Sequence, residues 1–341
     1  MSANPRGSRS GGRRTLQDVA TMAGVSTMTA SRALRGVGSV APELIERVRA
    51  AAAALQYVPD PAARALASAR SSSVAVLVPS LANAVFIDLL EAVHEVLASQ
   101  GYQVLIGNTH YSRDEEEQLL RNYLAHRPAG MLVTGFDRSE AARRLIEDSG
   151  VPCVYLMELA NAPHVHCVGL SQLEAGQAVT RHLLARGRRR IGFVAAQLDA
   201  RTMQRAEGYR RALKSAGCYD PELELLSPAR SSVSLGGRLF IEFLARHPDV
   251  DALFFCNDDL AKGALLEALR AHVDVPGRVL VAGFNDLEGS DCSVPRLTTV
   301  RTPRAEIGRR AASMLLALMR GERVRETAVD VGFELIIRES A

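Results

Sequence analysis

The chain has 341 residues, 47% of them hydrophobic and 23% charged, enough for more than one domain with a full core. No apolar run approaches the ~18–20 residues of a membrane span, and no apolar stretch follows the basic start "MSANPRGSRSGGRRT". A membrane helix and a secretory leader are therefore not expected, and the cytoplasm is the expected location. Net charge is only +3, but it is uneven: residues 1–70 hold ten arginines against Asp18, Glu43, Glu46 and Asp60, while the remainder carries 31 basic and 34 acidic residues. A basic N-terminal block on a mildly acidic body points to a polyanionic partner at one end.

Residues 1–14 are rich in Gly, Ser and Arg and read as a disordered basic tail. Residues 15–58 read as three short helices. The first covers about residues 16–22, with Leu16, Val19, Ala20 and Ala23 at helical spacing. Gly24 supplies the positive φ of a tight turn. Ser26 can cap a second helix at 27–34, and Pro42 suits the first turn of a third. Ile45, Val48, Ala52 and Leu55 form the expected buried stripe of that third helix. Residues 59–71 follow as a hinge and linker. There Pro59, Asp60 and Pro61 start a helix at about 62–69, too short to be stable alone.

From residue 72 the pattern changes. "VAVLVP", "YQVLIGNT", "GMLVTG", "PCVYLM", "CVGL", "RIGFVAA", "DALFFC" and "RVLVAGF" are short apolar strands, most separated by a helix with one polar face. Such alternation implies parallel sheets covered by helices on both faces. The number of elements exceeds one sheet, so two similar α/β lobes are expected over 72–341, with a ligand cleft at the C-terminal strand ends. The five cysteines lie far apart without C-x-x-C spacing, and reduced thiols are expected, most of them in core strands.

A helix, a glycine turn and a helix within about twenty residues fit a helix-turn-helix, whose second helix enters the major groove of DNA. Thr27, Met28, Ser31 and Arg32 fall on one exposed side of that helix. Arg32 can fork onto guanine, Thr27 and Ser31 can bond bases or phosphates, and Met28 can touch a thymine methyl. The plainer alternative is a helical bundle with a Ser/Thr-rich surface.

The stretches "TLQDVATMAGVSTMTASRALRG", "SVAPELIERVRAAAAALQYVPDPAARALAS", "VLVPSLANAVF", "CNDDLAKGAL" and "VAGFNDLEGS", in this order across residues 15–338, resemble the LacI/GalR family of bacterial transcriptional repressors. Within it, "LDART" and "AVDVGFELIIRES" are similar to the gluconate-utilisation repressors. The resemblance implies an all-α helix-turn-helix headpiece, a hinge helix, and a periplasmic-binding-protein-like core of two parallel-sheet lobes. It implies a homodimer on a pseudo-palindromic operator. Thr27 and Met28 take the base-discriminating positions, and Arg32 matches an arginine common to the family. Thr15, Leu16, Ser26, Ser31, Arg35, Tyr57 and Ala63 complete the implied DNA-binding set. Leu66 matches a hinge leucine that wedges into the minor groove. No heptad tail follows "IIRESA", so a dimer is expected to be the final state.

The resemblance further implies an effector cleft lined by Ser80, Asn83, Phe86, Ser171, Arg201, Arg205, Asn257 and Asn285. The family commonly has Asp where this chain has Ser171, and often where it has Asn285. Loss of both carboxylates, with Arg201 and Arg205 present, favours an anionic effector, a sugar acid such as gluconate or a ketogluconate, with phosphorylated forms such as 6-phosphogluconate equally open. Induction is the expected sign; corepression is the alternative, as is a sugar-acid-binding protein without operator control. No enzyme motif such as G-x-S-x-G, G-x-x-x-x-G-K-[ST] or H-E-x-x-H is present, so no catalysis is expected. His164 and His166 stand apart from any ligand pattern, and no metal or cofactor is expected.

Overall fold

The computed structural model describes residues 14–36, 40–58, 71–160, 162 and 164–341. They belong to two compact units, one within residues 1–71 and one spanning 72–341. The expected tail up to residue 13 and the expected hinge helix, with Ala63 and Leu66, lie outside the described residues.

The first unit holds α1 (Leu16–Ala23), α2 (Thr27–Arg35) and α3 (Pro42–Ala54). Thr15 caps α1 in a reciprocal box: its hydroxyl accepts from the Asp18 amide, and the Asp18 carboxylate accepts from the Thr15 amide at 2.8 Å. Gly24 ends α1 at φ 65°, a left-handed conformation that any side chain would strain. Arg47 of α3 reaches back and donates to the Ala23 carbonyl at 2.7 Å, covering an open C-terminal acceptor. Val19, Ala20, Ala30, Ala33, Val48 and Ala51 form the core. Ala51 rather than Ala52 is fully buried, and Ile45, Ala52 and Leu55 flank it. The small side chains let three short helices approach closely.

The second unit begins with β1 (Ser73–Val78), α4 (Ile87–Ser99), β2 (Gln103–Asn108), α5 (Arg113–Ala125), β3 (Gly130–Thr134), α6 (Glu140–Asp148), β4 (Cys153–Met157) and β5 (Cys167–Gly169). A second series follows: α7 (Gln172–Ala185), β6 (Ile191–Ala196), α8 (Ala200–Ser215), β7 (Glu224–Ser227), α9 (Val233–Arg246), β8 (Ala252–Phe255), α10 (Asp258–Arg270) and β9 (Leu280–Ala282). The chain ends with β10 (Thr299–Arg301), α11 (Arg304–Met319), β11 (Ala328–Asp330) and β12 (Glu334–Ile336). The first lobe is a parallel sheet in the order β11-β5-β4-β3-β1-β2, and the second a parallel sheet in the order β7-β6-β8-β9. β10 and β12 form a separate antiparallel pair.

The chain leaves the first sheet after β5 and returns to it at β11. Its last residues go back to the second lobe, where Ser340 donates to the Val281 carbonyl at 2.6 Å. The two lobes are thus joined by repeated crossings beside the cleft. β1, β6 and β8 are buried almost throughout, as strands covered on both faces must be. All five cysteines are unpaired, two of them, Cys167 and Cys256, fully buried. Among the described residues no helix is long and apolar enough to cross a membrane.

Candidate functional site

In the headpiece, α2 has two unlike sides. Ala30 and Ala33 are buried, whereas Thr27 and Arg32 are exposed and Met28 is 63% exposed. An apolar side chain, an arginine and a threonine thus share the solvent side of this helix. Ser26 caps α2 by accepting from the Thr29 amide at 3.1 Å. No acidic residue sits in the first turn, so the positive helix end is left for an external anion. Ser31 is half-buried next to this face. Arg35 is the last helical residue; its side chain lies outside the described set. The other three have local tasks: Thr15 is engaged in its cap, and Leu16 and Tyr57 pack against the headpiece core.

In the core, six of the eight implied effector residues meet. Asn83, Phe86, Arg201, Arg205, Asn257 and Asn285 line one pocket of about 40 Å³. A second cavity of about 290 Å³ adjoins it and shares Tyr111, Gln197, Asp199 and Arg201 with it. The lining comes from the C-terminal ends of β1, β2, β4, β6, β8 and β9, the face where open parallel sheets bind ligands. Local capping fixes several side chains. Asn83 caps the short helix Ala84–Phe86 and donates to the Tyr111 hydroxyl at 3.2 Å. Asn257 caps α10, accepting from the Leu260 amide at 3.0 Å, and pairs with Ser231.

Ser80 and Ser171 do not line these cavities. The Ser80 hydroxyl accepts from the Ala82 and Asn83 amides, which closes the turn after β1. Ser171 caps α7 through the Glu174 amide at 3.1 Å. Its neighbour Gln172 is the buried one. Gln172 donates to the Met157 carbonyl at 3.1 Å and accepts from Arg205 Nε at 2.8 Å.

The two arginines differ sharply. Arg201 donates to the Asp199 carboxylate at 2.7 Å, and Glu158 lies 4.0 Å away. Burial alone would lower the Arg201 pKa, but these two carboxylates outweigh it and raise it. Burial likewise works to raise Asp199, yet Arg201 holds it below the usual carboxylate range. Burial raises Glu158, with Arg201 opposing. Arg205 has no such partner. Its bonds run to Gln172 and to the Cys256 carbonyl at 2.6 Å, both neutral, and its guanidinium lies 3.7 Å from the Phe284 ring centre. Burial pushes it down to about 10. Among the described residues no carboxylate accepts a hydrogen bond from it. Its position is fixed by backbone packing: a Cβ on Gly176 of α7 would strike the Arg205 main chain.

The charge expectation needs correcting on this point. Arg201 is neutralised by Asp199 and Glu158, whereas Arg205 is a desolvated cation with no carboxylate bonded to it among the described residues. Tyr111, Glu158, Gln172, Gln197 and Asp199 were missed in the sequence. "LDART" held a signal for one of them, since Asp199 precedes Arg201 by two residues at a helix start.

The Asp199–Arg201 pair yields a stability prediction. The folded pKa of Asp199 lies below its unfolded value, so its stabilisation is present above pH 3.8 and is lost as pH falls through the folded value. Asp199→Asn should cost about 3 kcal/mol at pH 7, because a buried guanidinium loses its nearest anion. Urea unfolding should show this gap shrinking as the pH drops below 3.8. A gap that stays constant with pH would contradict the pairing.

Comparison with known proteins adds the following. Residues 15–60 match the model of "Bacterial regulatory proteins, lacI family", and residues 180–341 that of "Periplasmic binding protein-like domain". The chain is 64% identical over 340 residues to the HTH-type transcriptional regulator GntR of Pseudomonas aeruginosa, covering 100% of this chain and 99% of that one. It is 35% identical over 320 residues to the regulator of the same name in Escherichia coli, covering 94% and 96%. A crystal structure of a Lacl family transcriptional regulator from Silicibacter pomeroyi superposes with a TM-score of 0.89 at 36% identity, over 96% and 99% of the two chains. That of transcription regulator GntR from Chromobacterium violaceum gives 0.77 at 50% identity, over 79% and 98%.

Proposed function

The chain belongs to the LacI family of DNA-binding transcriptional regulators, and from that premise we propose that a sugar acid, of the gluconate or ketogluconate type, binds its core cleft and releases it from operator DNA. The relatives are regulators, which agrees with the absence of catalytic motifs. One observation carries the choice of effector: Arg205 is buried in the cleft with neutral partners only. A guest carboxylate supplies the missing anion through a forked, charge-assisted bond. Glu158 and Asp199 beside it accept hydrogen bonds from the hydroxyls of a polyol chain. One uncompensated cation suits one guest carboxylate, so a singly charged acid is favoured over its phosphate ester.

In this reading the protein works as a homodimer. Thr27, Met28 and Arg32 of each copy face a half-site, and Leu66 of each hinge enters the minor groove at the operator centre. The effector binds the DNA-incompetent state more tightly, and a difference of about 1–3 kcal/mol is typical of such coupling. Calorimetric titration tests the effector class. Gluconate or 2-ketogluconate should bind, 6-phosphogluconate should bind more weakly, and neutral glucose should not bind. Tight glucose binding with no response to the acids would overturn the assignment.

A further inference from the structure

The loop after β9 carries two consecutive non-glycine residues at positive φ, Asn285 at 115° and Asp286 at 51°. Such backbone is costly and persists only where several contacts enforce it. Several anchors hold the second-lobe side: the Asn285 amide donates to the Val300 carbonyl at 2.8 Å, and its side-chain oxygen accepts from the Thr302 hydroxyl at 3.3 Å. Arg301 and Arg338 grip the Asp286 carboxylate at 2.9 and 2.8 Å. The buried Asp258 carboxylate accepts from the Leu287 amide at 2.7 Å and from the Ser290 and Thr299 hydroxyls.

A further anchor comes from the first lobe. Arg304, the first residue of α11, donates through Nη1 to the Asn285 carbonyl. Through Nε and Nη2 it pairs with Asp88, the second residue of α4, at 2.9 and 2.7 Å. The two residues it joins are of different kinds. Asn285 lines the cleft from the second lobe, and Asp88 follows the cleft residue Phe86 in the first. One guanidinium therefore spans the lobes at the cleft's edge.

We infer that Arg304, oriented by Asp88, is a positioning residue for the effector. It holds Asn285 in its strained conformation, so that the amide side chain faces the ligand, and links that loop to α4. Asn285 contributes its side chain to the cleft, while Arg304 acts only through it. This rests on the reading that Asn285 faces an effector. The clamp itself, however, is a set of contacts within the protein and can be measured without effector.

The test uses full-length protein with Arg304→Gln and Asp88→Asn. Without ligand, amide hydrogen exchange in residues 284–288 should rise about 10-fold in both variants, as expected for losing a bond to a charged group, while the headpiece stays unchanged. Gluconate affinity should fall about 10-fold in each, and Arg304→Gln should cost nothing more once Asn285→Ala is present. The last result separates positioning from general structural support, because the remaining anchors keep the loop folded in every variant. Unchanged exchange at 284–288 would overturn the clamp. Additive losses in Arg304→Gln/Asn285→Ala would overturn its action through Asn285. A wild-type protein that ignores gluconate would instead refute the effector reading, and the exchange experiment would still decide the clamp.

Discussion

Replacing Arg205 by glutamine should lower the affinity for a sugar acid by about 100-fold or more. The Arg205 side chain is buried, its hydrogen bonds end on an amide oxygen and a main-chain carbonyl, and burial pushes its pKa down to about 10. A cation so placed has already lost its own water, so an arriving anion meets it in a low-dielectric site where their attraction is strong. Removing one partner of a buried, hydrogen-bonded charge pair costs about 2–5 kcal/mol, or roughly 30- to 5,000-fold in affinity. Glutamine keeps some of the bonding to the neutral neighbours and removes the charge. The unliganded variant should therefore stay folded. The wild-type protein should gain about 2.7 kcal/mol of stability at a hundred times the dissociation constant, and the variant should show no such gain at the same gluconate concentration. Thermal unfolding with and without ligand reads both. Equal stabilisation of both proteins by gluconate would remove Arg205 from the site.

The second large effect lies in the headpiece. Arg32→Ala should abolish selective operator binding while leaving dimerisation and effector affinity intact. A bidentate arginine–guanine pair is worth about 1–3 kcal/mol of discrimination, and a symmetric dimer uses it twice. The expected loss is then about 2–6 kcal/mol, roughly 30- to 10⁴-fold. Non-specific binding should fall far less, because it follows the total charge facing the phosphates. The headpiece should keep its helices, since Arg32 is exposed and the core is built from Val19, Ala20, Ala30 and Val48 on other faces. Gel shifts with operator and with random DNA, beside circular dichroism, separate these cases. An unfolded headpiece, or equal loss on both DNAs, would contradict the reading role.

Much of this was legible in the sequence because the fold depends on periodic signals. The alternation of "VAVLVP"-like strands with helices, and the Gly24 turn between two helices, are local patterns that tertiary packing did not alter. The strands that escaped notice were β7, β10, β11 and β12, each only three or four residues long. β11 joins the first sheet beside β5 although about half the chain separates the two, and nothing local signals that return.

The site was legible where a motif marked it and obscure where packing alone built it. Arg205 and Asn257 stood in recognisable stretches. Glu158 did not. It follows an apolar strand, and its nearness to Arg201 depends on how β4 and α8 meet across the cleft. Ser171 illustrates the opposite error. Its position in the chain suggested a ligand contact, but a serine before a helix is first of all a cap, and the buried role falls to Gln172 one residue later. The charge count also changes on folding. Counting arginines gave two cations, whereas the folded cleft pairs one of them and leaves Arg205.

The most direct test of the central claim follows full-length protein bound to fluorescent operator DNA while gluconate is added, with glucose as the control. Gluconate should weaken operator binding by about 5- to 150-fold, the span of a 1–3 kcal/mol coupling, and glucose should have no effect. Operator affinity that is indifferent to gluconate at millimolar concentration, or that responds equally to glucose, would contradict control by a sugar acid.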